Sequence, residues 1–566
     1  MKKLLLILLC LSSQWIMAQK DAPKWVDKAK RAVFSIVTYD QEDKLMNTGN
    51  GFFISEDGIA LSDYTLFKGA QRAVIITSEG KQMPVKNIMG VNKKYDIVKF
   101  RVDVDKKAPG TLSVATEAPE KGTEVYLLPY STKKDRTCTI GTVKEVSPLP
   151  GGYHYYTLDI PSNEKMVSCP VTTADGQVFS MIQADVSGNK TESYAISAAF
   201  AKDLSINVLS LNNAALKSIG IKKALPDTEE QALVYLLMSA STMDSNDYLQ
   251  LLNDFIEQYP NSPEGYTRRA NYYVYNLKDE QHFALAEADL NTALKLTDKK
   301  DEVYYNKAKL IYANEIDQSP FKYKNWGYPE ALEEAGKALA VNQLPLYQQL
   351  RGDIYFAMQD YPKAYECYSI VNQSNLVSPA TYYSAAKTKE LMKADETEVI
   401  ALLDSAINLF SKPLPEDAGP YLFERAQHKE NKEMYKEAVD DYDEYYHVVN
   451  GKVNDLFYYY REQANYKSRN FKRALEDIQK ALEISPKDVT YLAELGAINL
   501  RVARYEEAIK NLQDALAIDP KFAACYRLIG FCQIQLNQKD KACENFAKAK
   551  ELGDEAVESL IQKNCQ

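Results

Sequence analysis

The sequence of 566 residues lacks a long apolar run and lacks an excess of positive charge. A membrane-spanning helix needs about 20 consecutive apolar residues. The apolar run Leu4 to Leu11 is much shorter, and no later segment comes close to that length. The formal net charge is -10, whereas a surface that binds phosphates needs clustered positive charge. We therefore expect no transmembrane segment and no nucleic-acid partner.

The sequence also lacks the short motifs that hold metals, nucleotides or dinucleotides. It contains no G-x-x-x-x-G-K-[ST], no H-E-x-x-H, no EF-hand ladder and no G-x-G-x-x-G after a strand. Paired carboxylates such as Asp440 and Asp441 lie on predicted helical faces, which is typical of a solvated surface. The sequence therefore predicts neither a metal nor a cofactor.

The N-terminus has the pattern of a secretory signal peptide. Residues 1–19 combine two lysines, the apolar run and small-residue spacing that ends at Ala18. Cys10 follows Leu9, which is not the small residue that a lipid-anchor site requires. We expect an exported protein without a lipid anchor, located in the periplasm rather than secreted.

Seven cysteines follow the predicted signal peptide. Export permits disulfides, but an odd number cannot all pair, and paired C-x-x-C zinc spacing is missing. In a chain of this length the pattern favours scattered buried thiols over a disulfide framework. In the first domain, Cys138 and Cys169 are the one pair to examine.

Two halves of the sequence have different periodicity. From Trp25 to Leu209, short alternating runs rich in β-branched and aromatic residues predict an all-β barrel or sandwich. From Asp227 onward, long stretches rich in Ala, Leu, Glu, Lys and Tyr predict helices. We predict a multidomain chain with these parts: signal peptide 1–19, β domain 20–210, linker 211–227 and helical domain 228–566.

The helical half repeats itself. Three sets of residues recur at a spacing of 34 residues, with Gly496 and Gly530 expected to face alanines on the following helices. The sets are Ala474, Ala508 and Ala542; Ala481, Ala515 and Ala549; and Pro486 and Pro520. This period resembles that of tetratricopeptide repeats. The resemblance implies an all-α superhelix of about nine repeats.

The β half resembles trypsin-like serine proteases of the Deg/HtrA type, over roughly Val33 to Leu204. The stretches that carry the resemblance are GNGFFISEDGIALSDYTLFKGA, YDIVKFRVD, CTIGTVKEV and YTLDIPSNEKMVSCPVTTADGQVFSMI. The resemblance implies a double β-barrel with a cleft. It also implies positions for a catalytic histidine, aspartate and serine.

The residues at those three positions do not form a triad. The resemblance places Thr65 at the histidine position, Asp96 at the aspartate position and Val167 at the nucleophile position. Ser168 stands one residue late, where the family has glycine, and Lys165 replaces a family glycine. A serine nucleophile needs an imidazole base and backbone donors for the oxyanion. The pattern therefore predicts a pseudoprotease.

Histidine is too scarce to supply a substitute base in the family's order. The chain has four histidines, none precedes Asp96, and only His154 lies in the β domain, where it alternates with tyrosines on a predicted strand. The alternative that remains open is a divergent active serine endopeptidase that recruits substrate through its repeats.

The resemblance to tetratricopeptide repeats also implies a groove that binds a protein or peptide partner. At the offsets that line this groove stand Tyr459, Gln463, Tyr466, Lys467, Arg501, Arg527 and Phe531. The three cations among them suit an acidic group such as a C-terminal carboxylate. The alternative for the tyrosines is packing against the neighbouring repeat. The sequence indicates no oligomeric state.

Overall fold

The computed structural model describes residues 22–133, 137–161, 163–185, 187–188, 190–317 and 321–565. The predicted signal peptide, 1–19, and Cys10 lie outside the described residues. The chain divides into two compact units, of which the first ends at Tyr272 and the second begins at Tyr273.

The β half forms two closed antiparallel barrels, as the sequence predicts. The first barrel has the strand order β1-β2-β3-β6-β5-β4, and the second has the order β10-β11-β12-β9-β8-β7. Their strands are β1 (Val33–Tyr39), β2 (Leu45–Phe53), β3 (Ile59–Ser62), β4 (Arg72–Ile76), β5 (Gln82–Asn92), β6 (Ile97–Val102), β7 (Glu124–Leu127), β8 (Thr139–Leu149), β9 (Tyr153–Leu158), β10 (Pro170–Thr172), β11 (Val178–Ile182) and β12 (Ser193–Ser197).

The first barrel closes on a core of phenylalanines that the alternating pattern points inward. The rings of Phe34 and Phe53 lie 4.7 Å apart, and those of Phe67 and Phe100 lie 4.9 Å apart. A Cβ at Gly51 would lie 2.7 Å from the Phe34 ring, so this strand position requires glycine. The packed core fixes the strand ends that carry the site positions.

The segment that follows the barrels is ordered against the first barrel. Gly69 N donates to Ser218 O at 2.7 Å, and Gly220 N donates to Ala70 O at 2.7 Å. Lys223 then forms a parallel bridge with Ile88 of β5. Residues 211–227, marked by the sequence as a linker, therefore include a stretch that packs on the barrel.

The helices of the first unit include the first helices of the predicted repeat domain. They are α1 (Val26–Ala29), α2 (Tyr64–Phe67), α3 (Ala214–Lys217), α4 (Glu229–Ser239) and α5 (Ser245–Gln258), followed by α6 (Pro263–Asn276) at the boundary. Glu257 of α5 pairs with Lys86 of β5 at 3.2 Å. The change from strand to helix at 228 thus precedes the end of the compact unit.

The second unit is an array of helices that pack as consecutive pairs. They are α7 (Glu280–Leu296), α8 (Lys300–Ile316), α9 (Tyr328–Val341), α10 (Pro345–Ala357), α11 (Tyr361–Asn372), α12 (Pro379–Leu391), α13 (Glu396–Asn408), α14 (Gly419–Asn431), α15 (Tyr435–Val448), α16 (Asp455–Lys467), α17 (Phe471–Ile484), α18 (Val489–Arg501), α19 (Tyr505–Ile518), α20 (Ala523–Gln535), α21 (Lys539–Glu551) and α22 (Glu558–Asn564).

The predicted small residues lie where paired helices touch. A Cβ at Gly496 would lie 2.6 Å from Leu512 Cγ and 3.4 Å from Ala508 O. At Gly530 it would lie 2.6 Å from the Phe546 ring. The glycines therefore make room chiefly for a large side chain one turn beyond the predicted alanine, while the alanine remains fully buried.

One disulfide, Cys543–Cys565, is present in the described residues. Five other described cysteines are free, in agreement with the preference for scattered thiols, and Cys138 and Cys169, the pair to examine, are among them. The bond between Cys543 and Cys565 was not predicted, because it depends on α22 folding back against α21, which spacing alone does not reveal. In the part of the chain that the structure describes, no helix is both long and apolar enough to cross a membrane.

Candidate functional site

Asp96, at the aspartate position of the resemblance, is hydrogen-bonded to Thr65, at the histidine position. Asp96 Oδ1 accepts from Thr65 N and from Thr65 Oγ1, both at 2.8 Å. In a serine protease this carboxylate would hold an imidazole N–H. Here it holds a hydroxyl that cannot act as a base at neutral pH.

The backbone donors expected of an oxyanion hole are used inside a turn. The family pattern takes these N–H groups from the nucleophile and from the residue two positions before it, which here are Val167 and Lys165. Lys165 N donates to Asn163 Oδ1 at 3.0 Å, and Val167 N donates to Glu164 O at 3.3 Å. The 3-10 helix Glu164–Met166 thus satisfies both N–H groups locally.

Ser168 points into a buried contact between the barrels. It is fully buried, and its hydroxyl donates to Asp63 Oδ1. Its φ of 65° lies in the left-handed region that favours glycine, which agrees with the family glycine at this position. Burial raises the pKa of Asp63 to about 6, against the opposing effect of the Ser168 hydroxyl.

Asn50 adds a second polar bridge between the barrels. Its Nδ2 donates to Lys165 O at 3.0 Å and to Val167 O at 2.9 Å. Sequence reasoning missed both Asn50 and Asp63. Both lie in the first stretch that resembles the proteases, GNGFFISEDGIALSDYTLFKGA. The available signal was a polar residue, Asn50, inside a strand and another, Asp63, directly after a strand.

His154 lies on β9 opposite Pro148, half-buried, as the alternating pattern predicts. Its ring lies 6.1 Å from the ring of Tyr156. This position matches the expectation of an ordinary strand residue.

A cavity of about 380 Å³ lies in the array and is called here the array cavity. It brings together four of the seven predicted groove residues, Tyr466, Arg501, Arg527 and Phe531. Its other lining residues are Ala497, Leu500, Tyr505, Leu528, Gln535 and Leu560. Residues of α16, α18 and α20, each the first helix of its pair, contribute most of the lining.

The two arginines of the array cavity differ in their electrostatic state. Arg527 Nε donates to Asp554 Oδ2 at 2.6 Å, so its charge is already paired. Arg501 is exposed and makes no ion pair with any described residue. Phe531 beside them is 38% exposed, although a ring of this size is usually covered. The cavity therefore offers one available cation beside apolar surface.

The remaining three predicted groove residues make other contacts and do not line this cavity. The Tyr459 ring packs 5.4 Å from that of Tyr491. Gln463 Nε2 donates to Glu462 Oε2 at 2.7 Å, and Lys467 Nζ lies 5.4 Å from the centre of the Tyr435 ring. For Tyr459, the contact is the packing alternative that the sequence left open.

Glu462 is an uncharged acid that sequence reasoning missed. Its side chain is fully buried, and Oε1 has no hydrogen-bond partner. Burial, helped by the charge of Glu494, raises the pKa of Glu462 to about 8. At neutral pH this carboxyl is therefore mainly protonated.

A His and two Glu side chains approach each other closely enough to offer ligands to a metal ion, at a place that the sequence did not single out. The donor atoms of Glu390, Glu424 and His428 lie within 4.8 Å of one another. However, Lys387 Nζ already contacts both carboxylates, at 2.7 Å from Glu424 Oε1. The ammonium group takes the position of a cation between the two acids.

Comparisons with known proteins agree with the trypsin-like resemblance of the β half and with the repeat resemblance of the helical half. Residues 49–182 match the family model of the trypsin-like peptidase domain. The chain is also 26% identical over 232 residues to a TPR repeat-containing protein of Methanocaldococcus jannaschii, a match that covers 37% of this chain and 39% of that protein. The chain thus spans less than half the length of this relative.

Proposed function

We propose that this chain, which joins a trypsin-like domain to an array of tetratricopeptide-type helical repeats, is an exported and non-catalytic binding protein. Its array takes the C-terminal carboxylate of a partner peptide. The observation that carries the proposal is the array cavity, where the available guanidinium of Arg501 stands beside the exposed ring of Phe531.

The chemistry of the cavity suits a peptide that ends in an apolar residue. A guanidinium binds a carboxylate through two parallel N–H donors, which gives both strength and orientation. Leu500, Leu528 and Phe531 provide apolar surface for the last side chain. Since the whole chain is acidic, attraction to a carboxylate must come from the local cation rather than from the long-range field.

The test compares two labelled peptides with the full chain. Fluorescein-labelled Gly-Gly-Leu-Phe with a free C-terminus should bind more tightly than its C-terminal amide, as measured by fluorescence polarisation. Arg501→Gln should weaken the acid form about tenfold or more, because a charge-assisted hydrogen bond contributes about 1.5 to 3 kcal/mol. Binding should also weaken with salt.

Lys467→Gln is the matched control, because it removes one predicted groove cation that does not line the array cavity. It should leave the affinity unchanged. Equal binding of acid and amide, or equal losses in the two variants, would remove the carboxylate site from the array cavity.

Catalytic silence is supported by four hydrogen bonds in the β domain. Asp96 is bonded to Thr65, the N–H groups of Lys165 and Val167 are used inside the turn, and the Ser168 hydroxyl is buried against Asp63. We expect no cleavage of unfolded casein and no labelling by a fluorophosphonate.

The second candidate function is a divergent serine endopeptidase, and one observation favours it. The Ser168 hydroxyl donates to a carboxylate, Asp63, whose pKa is raised to about 6. Fluorophosphonate labelling that disappears in Ser168→Ala would establish this candidate and end the non-catalytic proposal. Val167→Ser alone should restore no activity, because the base is missing.

Export to the periplasm is supported by the disulfide Cys543–Cys565, since disulfides persist in oxidising compartments. The test is fractionation of cells that express the full chain, with mass spectrometry of the product. A mature N-terminus near Ala18 in the periplasmic fraction is expected. Full-length protein in the cytoplasm would contradict the proposal.

A further inference from the structure

We propose that the disulfide Cys543–Cys565 is a redox site that controls the array cavity. Oxidised, it holds α22 in place as one wall of the cavity; reduced, it releases that wall and weakens peptide binding. This inference rests on the proposed carboxylate site and concerns its regulation.

The end of the chain contributes to the cavity in two ways. Leu560 of α22 lines the cavity directly. Asp554, which precedes the short 3-10 helix that leads into α22, pairs with Arg527 at 2.6 Å and so holds one lining side chain in position. A change in the placement of the segment from Asp554 to Cys565 therefore changes the cavity itself.

α22 has few contacts of its own to hold it there. The helix Glu558–Asn564 has seven residues and contains no buried side chain. A helix this short is not stable in water without tertiary contacts. Half-buried Leu560 and Ile561 pack on the cluster around Phe546, and Glu558 pairs with Lys550 of α21 at 2.6 Å, with both side chains exposed. The disulfide adds a covalent link between the end of α22 and α21. Without that bond, α22 is held by these partly exposed contacts and by the chain that leads into it.

The bond is also the group that a reductant would reach. Both of its cysteines are partly exposed. The free cysteines of the array, by contrast, are buried, and burial raises the thiol pKa of Cys525 to about 12 and that of Cys532 to about 11. Thiolate chemistry at those sites is correspondingly suppressed.

The redox step is a thiol–disulfide exchange with a dithiol reductant. One thiolate of the reductant attacks a sulfur of Cys543–Cys565, which forms a mixed disulfide and breaks the protein's S–S bond. The second thiol of the reductant then closes its own disulfide. The two protein sulfurs gain two electrons and two protons, and the reductant is oxidised by the same amount.

The experiment uses the full chain and measures two quantities in the oxidised and dithiothreitol-reduced states. Hydrogen exchange of residues 555–565 reports the docking of α22. Fluorescence polarisation reports the affinity for the labelled acid peptide Gly-Gly-Leu-Phe. Reduction should speed exchange in α22 and weaken binding about tenfold, the scale of one lost leucine contact.

Two variants separate the wall from other effects of the reductant. The double variant Cys543→Ser and Cys565→Ser should bind like the reduced protein and should not respond further to dithiothreitol. Leu560→Ala should weaken binding with the disulfide intact. Far-UV circular dichroism checks that each variant keeps its helices.

The outcomes distinguish this inference from the proposed function. Unchanged exchange in α22 on reduction, or unchanged affinity of a protein that binds when oxidised, overturns the redox control. If the oxidised protein does not prefer the acid peptide to its amide, the proposed carboxylate site fails and control of binding falls with it. The exchange measurement still shows in that case whether the disulfide holds α22.

Discussion

Replacing the buried acid of α16 by its uncharged analogue, Glu462→Gln, should stabilise the array at neutral pH. Folding raises the pKa of this carboxyl from 4.5 to about 8, chiefly through burial. At pH 7 the folded chain keeps a proton that the unfolded chain has released. The cost is the free energy of protonating the group about 2.5 pH units above its unfolded pKa, about 3 kcal/mol.

The direction of the pKa shift of Glu462 determines the pH range in which stability changes. Because the folded pKa is the higher one, the folded state holds more protons between pH 4.5 and about 8, and its stability falls as pH rises through this window. A glutamine at this position does not titrate, so it adds no such pH dependence. The gain from Glu462→Gln should therefore be under about 1 kcal/mol at pH 5 and about 4 kcal/mol at pH 7.5.

Urea unfolding followed by circular dichroism at 222 nm is the assay, because the array contains most of the helix. The matched control is Glu507→Gln, an exposed glutamate of α19 whose replacement changes the charge equally. It should shift stability by no more than about 0.5 kcal/mol at either pH. An equal gain from Glu462→Gln at pH 5 and pH 7.5, or a loss at pH 7.5, would refute the argument.

Three further predictions concern stability. Burial opposes the charged form of His428, but the neighbouring carboxylates outweigh this effect and raise the pKa of His428. The wild type should therefore be more heat-stable than His428→Gln below pH 6.5, and the difference in melting temperature should shrink as pH rises. Thermal unfolding followed by circular dichroism measures this difference. Ala508→Leu should cost the array about 1 to 3 kcal/mol by overpacking, in urea unfolding at 222 nm, because residue 508 is fully buried. Asn50→Ala leaves the carbonyls of Lys165 and Val167 without this donor. In a Trp326→Phe background, which removes the tryptophan of the array, the fluorescence transition should therefore shift by about 1 to 3 kcal/mol while the helical signal stays unchanged.

The fold was predictable because its signals are local or periodic. Alternation along each strand and the spacing of 34 residues between alanines repeat often enough to indicate barrels and paired helices. The same repeat offsets placed Arg501 and Phe531 on one surface. The resemblance paired Thr65 with Asp96, and these two side chains are hydrogen-bonded to each other in the structure.

Other features could not be predicted because they depend on contacts between distant residues. Ser168 and Asp63 meet only when the two barrels pack together. Glu462 has the pattern of a solvated helical residue, and its burial follows from the packing of neighbouring helices. Lys467 shares a repeat offset with groove residues, yet it lies over the ring of Tyr435.

The ordered stretch after the barrels determines how the first domain can be cut from the rest for separate study. Ile219 and Ile221 are 1% and 4% exposed, because they are covered when this stretch lies on the barrel. A fragment that stops at residue 210 would lose them and leave apolar barrel surface open to water, which favours aggregation. A fragment that continues through Gln258 keeps this cover and the ion pair between Lys86 and Glu257. Proteases should for the same reason spare residues 213–224 in the folded chain.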